Sequence, residues 1–167
     1  HYPSIHWLHS YSEYVEDVLE WWQEKSVDWA ELRTEALTIL QREERLEQIV
    51  RLVGPDVLPE SQRFVLFVAE MLKDGFLTQS AFEATDMYCS PERQIALLKA
   101  ILLYYRMGRD LIQAKVPLEQ LRQVPCVTSI MRAKSELGNN DLDKYEGLEQ
   151  KIREQLEGLG TASPRGG

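Results

Sequence analysis

The chain has one dominant pattern, in which apolar residues recur at intervals of three or four positions. Near the N-terminus they fall at offsets of 0, 3, 4, 7, 8 and 11, at Tyr11, Tyr14, Val15, Val18, Leu19 and Trp22. This spacing is typical of one face of an α-helix. A second helix is predicted from Asp28, which can cap it, to Gly54, which can end it, with a solvated interval at 41–45.

The same periodicity and its interruptions predict helices along the rest of the chain. Proline is tolerated in a first helical turn, so a helix is predicted to start near Pro59 and to end near Gly75. Residues 76–89 are predicted to form a loop with short turns. Later helices are predicted from Ser90 to a break at Val116–Pro117, at 118–124, at 127–137, and after a cap at Gly138–Asn140. The pattern predicts an all-α bundle or short helical array of six or seven helices, as one domain over 1–160 with a disordered tail at 161–167.

Charge narrows the range of partners. The chain carries 19 basic and 27 acidic side chains, a net charge of −8. An acidic balance disfavours nucleic acids and anionic membrane surfaces, because both are bound through Lys and Arg. No run approaches the ~20 apolar residues of a membrane span. We therefore expect neither nucleic-acid binding nor direct membrane contact. Because the first residue is His1, we expect the chain to be part of a longer protein.

Candidate catalytic and metal-binding residues are sparse. All three histidines, His1, His6 and His9, lie in the first nine residues, so a Ser-His-acid or Cys-His site would require the chain to fold back onto its N-terminus. No third ligand type stands near them at a metal spacing. Cys89 and Cys126 lie 37 positions apart and form no Cys-x-x-Cys motif. None of the nine glycines precedes a lysine, which excludes the Gly-Lys phosphate loop. We predict no catalytic residue and no metal site in this chain.

Residue chemistry alone leaves a helical interaction module of unknown target. Its acidic helices suit a basic protein partner, because charge complementarity steers association. A free-standing acidic helical adaptor that binds a basic partner is therefore one hypothesis for the function.

Three segments indicate a different function. Residues 52–63, Leu-Val-Gly-Pro-Asp-Val-Leu-Pro-Glu-Ser-Gln-Arg, closely resemble the Leu-Val-Gly-x-Asp-x-Leu-Pro-Glu-x-x-Arg segment of catalytic A subunits from V-type and archaeal-type rotary ATPases. Residues 76–82 and 86–89 are similar to the Phe-Leu-Gln-Gln-Asn-Ala-Phe and Asp-Thr-Tyr-Cys elements that follow there. Residues 1–12 resemble the segment just after the family's nucleotide-binding domain. The resemblance runs from His1 to about Pro125.

This resemblance implies the C-terminal helical domain of the catalytic polypeptide, similar to that of F-type beta subunits, without the N-terminal barrel and the P-loop domain. In the family, three A subunits alternate with three B subunits around a central stalk. Hydrolysis or synthesis of ATP, bound with Mg, is coupled through stalk rotation to proton or sodium transport. The implied partners are the chain's own nucleotide-binding domain, the B subunits and the stalk subunits.

The resemblance also implies a location and an isolated behaviour. The location is the cytoplasmic, peripheral sector of a membrane-bound complex. By itself the chain is predicted to be a monomer that holds no cofactor and does not hydrolyse ATP.

The resemblance assigns a stalk-facing segment that corresponds to the acidic DELSEED segment of F-type beta subunits. Its residues are Asp56, Val57, Leu58, Pro59, Glu60, Ser61 and Gln62. Only two of them are acidic, so a purely electrostatic push on the stalk is disfavoured. Because Pro55 and Pro59 each fix a φ angle, our hypothesis is a rigid corner that acts by steric contact. The alternative is that both prolines merely end and start helices.

A second role implied by the resemblance is an aromatic wall of the adenine pocket. It falls on Phe82, with Gln79, Ala81 and Tyr88 as accompanying residues. An aromatic side chain can stack on the base without any charge. The alternative is that Phe82 packs the loop onto the helical bundle.

Overall fold

The computed structural model describes residues 29–77 and 91–162, and the chain divides between Val57 and Leu58 into two compact units. The described residues contain six α-helices and no strand, which confirms the all-α prediction. The first predicted helix, at Tyr11–Trp22, and most of the predicted loop at 76–89 lie outside the described residues. The single domain over residues 1–160 stays a prediction.

The first unit is described from helix α1, Trp29–Val53, onwards. The helix runs without interruption through residues 41–45, where a solvated interval was predicted. Glu43 within this interval is only 6% exposed, so the prediction of solvation is wrong for that residue. The interval was predicted from its run of polar and charged residues, but neighbouring residues can cover a long charged side chain. The other buried side chains of the helix are apolar: Leu32, Ala36, Ile39, Leu40 and Leu46.

Helix α1 ends as the sequence predicts. Gly54 has a φ of +88°, a left-handed conformation that costs glycine little. Its N–H donates to the carbonyl oxygen of Val50 at 2.8 Å, which satisfies a carbonyl that the helix would otherwise leave unpaired. A 3-10 turn follows at Pro55–Val57 and closes the first unit.

The second unit contains the other five helices. They are α2 (Glu60–Leu72), α3 (Pro91–Gln113), α4 (Leu118–Gln123), α5 (Pro125–Glu136) and α6 (Leu142–Ala162). The helix predicted to run from near Pro59 to near Gly75 is α-helical only as far as Leu72. It continues as a π-helical segment, Lys73–Leu77. Thr161 and Ala162, the first two residues of the predicted tail, belong to α6, and its remaining residues lie outside the described part of the chain.

Helix α3 forms the centre of the second unit and packs against α2, α5 and α6. Its fully buried side chains include Leu98, Ile101 and Tyr104. Phe64 of α2 is also buried, with its ring centroid 5.6 Å from that of Tyr104 and a stacked neighbour in Tyr105 at 6.0 Å. Such a dry, interlocked arrangement of aromatic and aliphatic side chains is the main stabilising contribution of this unit.

The short helix α4 is joined to α3 by a side-chain hydrogen bond. The Tyr104 hydroxyl donates to the carbonyl oxygen of Leu121 at 2.6 Å, and burial raises the pKa of this phenol well above its ordinary value. Pro117 is the N-cap residue of α4, and Pro125 occupies the first turn of α5. None of the helices within residues 29–77 and 91–162 is both long and apolar enough to cross a bilayer.

Candidate functional site

The segment Asp56–Gln62 contains a turn, a buried anchor and a helix start. Asp56 and Val57 are exposed in the 3-10 turn, whereas Leu58 is 5% exposed. Pro59 is the N-cap residue of α2, with φ −65° and ψ 161°. Its carbonyl oxygen accepts from the N–H groups of Gln62 at 3.0 Å and Arg63 at 3.1 Å. Proline cannot vary its φ angle, so the backbone entry into α2 is restricted.

Glu60 differs from the other residues of this segment because its carboxylate has a distant partner. Its Oε1 accepts the backbone N–H of Leu118 at 2.9 Å. Leu118 is the first residue of α4, whose N-cap residue, Pro117, makes no side-chain capping bond. The carboxylate therefore satisfies an N–H that the helix leaves unpaired, next to the positive end of its dipole. Sequence reasoning missed this contact, since the two residues are 58 positions apart.

An exposed apolar surface lies just before and within the same segment. We call it the apolar tip; its members are Ile49 (41% exposed), Leu52 (83%), Val53 (60%) and Val57 (56%). They are four of the five large hydrophobic side chains found exposed among residues 30–75 and 92–161; the fifth is Leu142. Periodicity shows which side chains share a helix face but not whether that face is covered, so the sequence does not predict this exposure.

A groove of about 540 Å³ lies beside the start of α2. Its lining includes Pro59, Glu60 and Ser61 on one side and the corner between α3 and α4 on the other. We call this corner, residues Ala114–Pro117, the α3–α4 corner. It exposes a cation at Lys115, on a protein whose net charge is −8.

The backbone of the α3–α4 corner has an uncommon conformation. Lys115 has a φ of +73°, and no other non-glycine residue in the described part of the chain has a positive φ. Its N–H donates to the carbonyl oxygen of Ile112 at 3.0 Å, and that of Val116 donates to Leu111 at 2.9 Å. These two bonds define a Schellman motif, in which glycine usually occupies the position of Lys115.

A second groove, of about 470 Å³, lies between α5 and α6. Arg132, Lys144 and Lys151 line it together with the hydroxyl-bearing Thr128 and Ser129. Lys151 Nζ donates to Ser129 Oγ at 3.4 Å. The groove offers cationic and hydroxyl donors, but no backbone N–H loop of the kind that cradles a triphosphate.

Cys126 is a buried thiol in the first turn of α5. Its side chain is buried, and burial raises the pKa of the thiol to about 11. Its backbone N–H donates to Gln155 Oε1 at 2.6 Å, which joins the start of α5 to α6. A buried thiol is protonated at neutral pH and is a poor nucleophile.

The predicted adenine-pocket residues, Gln79, Ala81, Phe82 and Tyr88, lie outside the described residues.

Comparison with known proteins identifies relatives of this chain. Residues 19–122 match the family described as the C-terminal domain of V and A type ATP synthase. The A subunit of the A-type ATP synthase of Methanopyrus kandleri is 44% identical over 160 residues, which is 95% of this chain and 27% of the relative. The V-type ATP synthase alpha chain of Halothermothrix orenii is 41% identical over 155 residues, 92% of this chain and 26% of the relative. The chain spans about a quarter of the length of these relatives and belongs to the family of C-terminal domains of V- and A-type ATP synthases.

Proposed function

We propose that this chain is the C-terminal domain of a catalytic A subunit, in which it transmits nucleotide-driven movement to a central stalk. Membership of the family supports this proposal, as do relatives that are named as ATP synthase subunits. In the complete subunit, ATP or ADP with Mg would be bound by a nucleotide-binding domain, next to B subunits. Rotation of the stalk would couple this chemistry to proton or sodium transport, with the chain in the cytoplasmic peripheral sector.

The residues of this chain do not suit the phosphates of the nucleotide. None of its nine glycines precedes a lysine, and the basic groove between α5 and α6 lacks a backbone phosphate cradle. The contribution of the chain is therefore mechanical, with an aromatic wall for the adenine from Phe82, Gln79, Ala81 and Tyr88. The chain without its nucleotide-binding domain is expected to be inactive in ATP hydrolysis.

The observation that carries the mechanical role is the apolar tip. Exposed apolar side chains in a contiguous stretch are typical of a contact surface. Within Asp56–Gln62, Asp56 is exposed while the Glu60 carboxylate is engaged with α4. Val57 is exposed within the segment and the other members of the apolar tip precede it, so exposed apolar side chains outnumber the one exposed carboxylate of the segment, Asp56. We infer that it pushes on the stalk by steric and apolar contact, held by the fixed φ angles of Pro55 and Pro59.

Polar substitution of the apolar tip tests this contact. The double variant Leu52→Gln with Val57→Gln, placed in the full-length protein within its assembled complex, removes apolar contact area without adding charge. We expect ATP turnover to persist while the number of ions moved per ATP falls. Leu142→Gln is the matched control, because Leu142 is also an exposed apolar side chain but lies at the start of α6. An unchanged ratio in the double variant, or an equal loss in the control, would contradict the proposal.

The rigid corner has its own test. Pro59→Gly leaves the backbone of the α2 entry free to vary its φ angle. If rigidity transmits force, torque measured in single-molecule rotation should fall while assembly persists. Unchanged torque would overturn the rigid-corner hypothesis and leave the prolines as simple helix boundaries.

The adenine wall is tested separately by Phe82→Ala in the full-length protein. If Phe82 stacks on the adenine equally well in the ground state and in the transition state, losing this contact should raise the KM for ATP more than it lowers kcat. Base–aromatic stacking contributes about 1–3 kcal/mol on nucleic-acid platforms, which corresponds to roughly a 5- to 150-fold effect. An unchanged KM would place Phe82 outside the pocket.

A free-standing acidic adaptor is the second candidate, and the net charge of −8 favours it. The encoding gene separates the two. A reading frame that continues upstream of His1 and encodes a glycine-rich phosphate loop supports the role in a rotary ATPase. An initiation codon directly before His1 supports the adaptor.

A further inference from the structure

The start of α2 and the α3–α4 corner are joined by one side chain. Glu60 Oε1 accepts the N–H of Leu118 at 2.9 Å, immediately after Pro117, the last residue of the corner. The hydrogen bond is partly buried. Glu60 also lines the groove, together with Pro59, Ser61 and residues of the corner. Glu60 therefore fixes where the corner lies relative to the start of α2.

Lys115 occupies this corner at an energetic cost. A left-handed conformation costs an L-residue more than glycine, and glycine is the usual residue at this position of a Schellman motif. The side chain is exposed, and within residues 29–77 and 91–162 it makes no ion pair. An exposed cation in a strained conformation, lining the same groove as Pro59, Glu60 and Ser61, suits a contact with a carboxylate of another molecule.

We propose that the stalk-facing surface has a second part, in which Lys115 binds a carboxylate of the central stalk and Glu60 positions the corner that carries Lys115. This inference rests on the proposed function and extends it. Glu60 then acts as a positioning residue through its hydrogen bond to Leu118, and its charge does not push on the stalk. The partner is a stalk segment with an acidic side chain facing the α3–α4 corner.

Two substitutions of Glu60 separate positioning from direct charge. Gln keeps an oxygen that can accept the Leu118 N–H but carries no charge, whereas Ala removes the acceptor. In the assembled complex, we expect Glu60→Gln to bind the stalk subunits like the unmodified protein and Glu60→Ala to bind them more weakly. Equal weakening by both variants would overturn the positioning role, because it would indicate that the charge itself contacts the stalk.

Substitutions of Lys115 test the contact without destabilising the fold. Gly removes the cation and relieves the left-handed strain, so weaker binding by Lys115→Gly cannot result from unfolding. An exposed ion pair predicts a loss of about two- to fivefold in affinity for the stalk, which should disappear at high salt. Lys115→Arg keeps the charge and should bind like the unmodified protein. Unchanged affinity in Lys115→Gly would overturn the contact.

The Leu52→Gln and Val57→Gln double variant, measured beside these, distinguishes the two proposals. If it weakens stalk binding while the Lys115 and Glu60 variants do not, the second contact is wrong and the proposed function stands. If it leaves stalk binding unchanged, the proposed contact through the apolar tip fails independently of Lys115.

Discussion

Helix α3 and the end of α1 use apolar residues in opposite ways. In the middle turns of α3, side chains are buried around nearly the whole helix, and Leu98, Ile101 and Leu102 have no exposed surface. In the last turn of α1, Leu52 and Val53 are mostly exposed. Both regions carry apolar side chains on helices. What differs is whether other parts of the chain cover them.

This difference separates stability from recognition. Apolar surface that is already buried stabilises the folded chain, whereas apolar surface that remains in water gains free energy only when a partner covers it. The second unit, built around α3, is therefore expected to tolerate few substitutions at its centre. The apolar tip is expected to tolerate many substitutions in the isolated chain and few in the assembled complex.

The largest expected effect compares the same substitution in both regions. Leu98→Ala removes fully buried methyl groups from α3 and leaves a cavity, which should lower the free energy of unfolding by about 2–5 kcal/mol. Leu52→Ala removes a side chain that is 83% exposed, and it should change the free energy of unfolding by less than about 0.5 kcal/mol. Urea denaturation of both variants measures the difference. Similar losses in the two variants would show that the tip is covered in solution.

The next effect concerns backbone packing inside the second unit. Gly108 of α3 lies against the Phe64 ring, and an added Cβ would lie only 2.9 Å from Phe64 Cε2. Gly108→Ala should therefore destabilise the chain by about 1–3 kcal/mol through overpacking, although alanine normally favours a helix interior. Gly147→Ala in α6 is the control, because no atom lies within 4 Å of its added Cβ, and it should stabilise by up to about 1 kcal/mol. A stabilising Gly108→Ala would mean that the ring moves aside easily.

Much of the fold could be predicted from the sequence because its helix boundaries are local. Gly54 ends α1 through its own backbone conformation, so its residue type was sufficient to predict that boundary. Helix α3 ends at Gln113, before the break predicted at Val116–Pro117. The cap of α6 was predicted less well. Gly138–Asn140 was assigned to it, whereas Asp141 is the residue directly before the helix and its carboxylate accepts the Gly138 N–H at 2.7 Å.

The candidate site could be predicted only in part, because its distinguishing contacts are not local. The resemblance pointed to Asp56–Gln62, but the bond from Leu118 to Glu60 joins residues 58 positions apart. The exposure of Leu52 depends on what fails to cover it, which periodicity does not report. The left-handed conformation of Lys115 was also hidden, because lysine gives no signal of a positive φ.

A smaller stabilisation is expected at the end of the buried helix. Lys115→Gly places the residue favoured in a Schellman motif at the C-terminal end of α3. We expect a gain of up to about 1 kcal/mol in the free energy of unfolding, since relief of the left-handed strain is partly offset by the greater freedom of glycine in the unfolded chain. Urea denaturation measures the gain, and Lys115→Ala serves as the control because it keeps a Cβ in the same conformation. A gain of equal size in the alanine variant would contradict strain as the cause.

The smallest effect is a pH dependence at the turn before α6, the helix that packs on α3. The Gly138 N–H donates to Asp141 Oδ2, and this bond, helped by the Lys144 ammonium, lowers the pKa of the Asp141 carboxyl. Because the folded pKa lies below the unfolded one, the stabilisation is complete above the ordinary carboxyl range near pH 4 and is lost as the pH falls through the lowered value. Asp141→Ala should therefore unfold more easily than the unmodified chain at pH 7, and this difference should shrink on acidification. A difference for Asp141→Ala that stays constant from pH 7 to pH 2 would contradict the role of the ionised carboxylate.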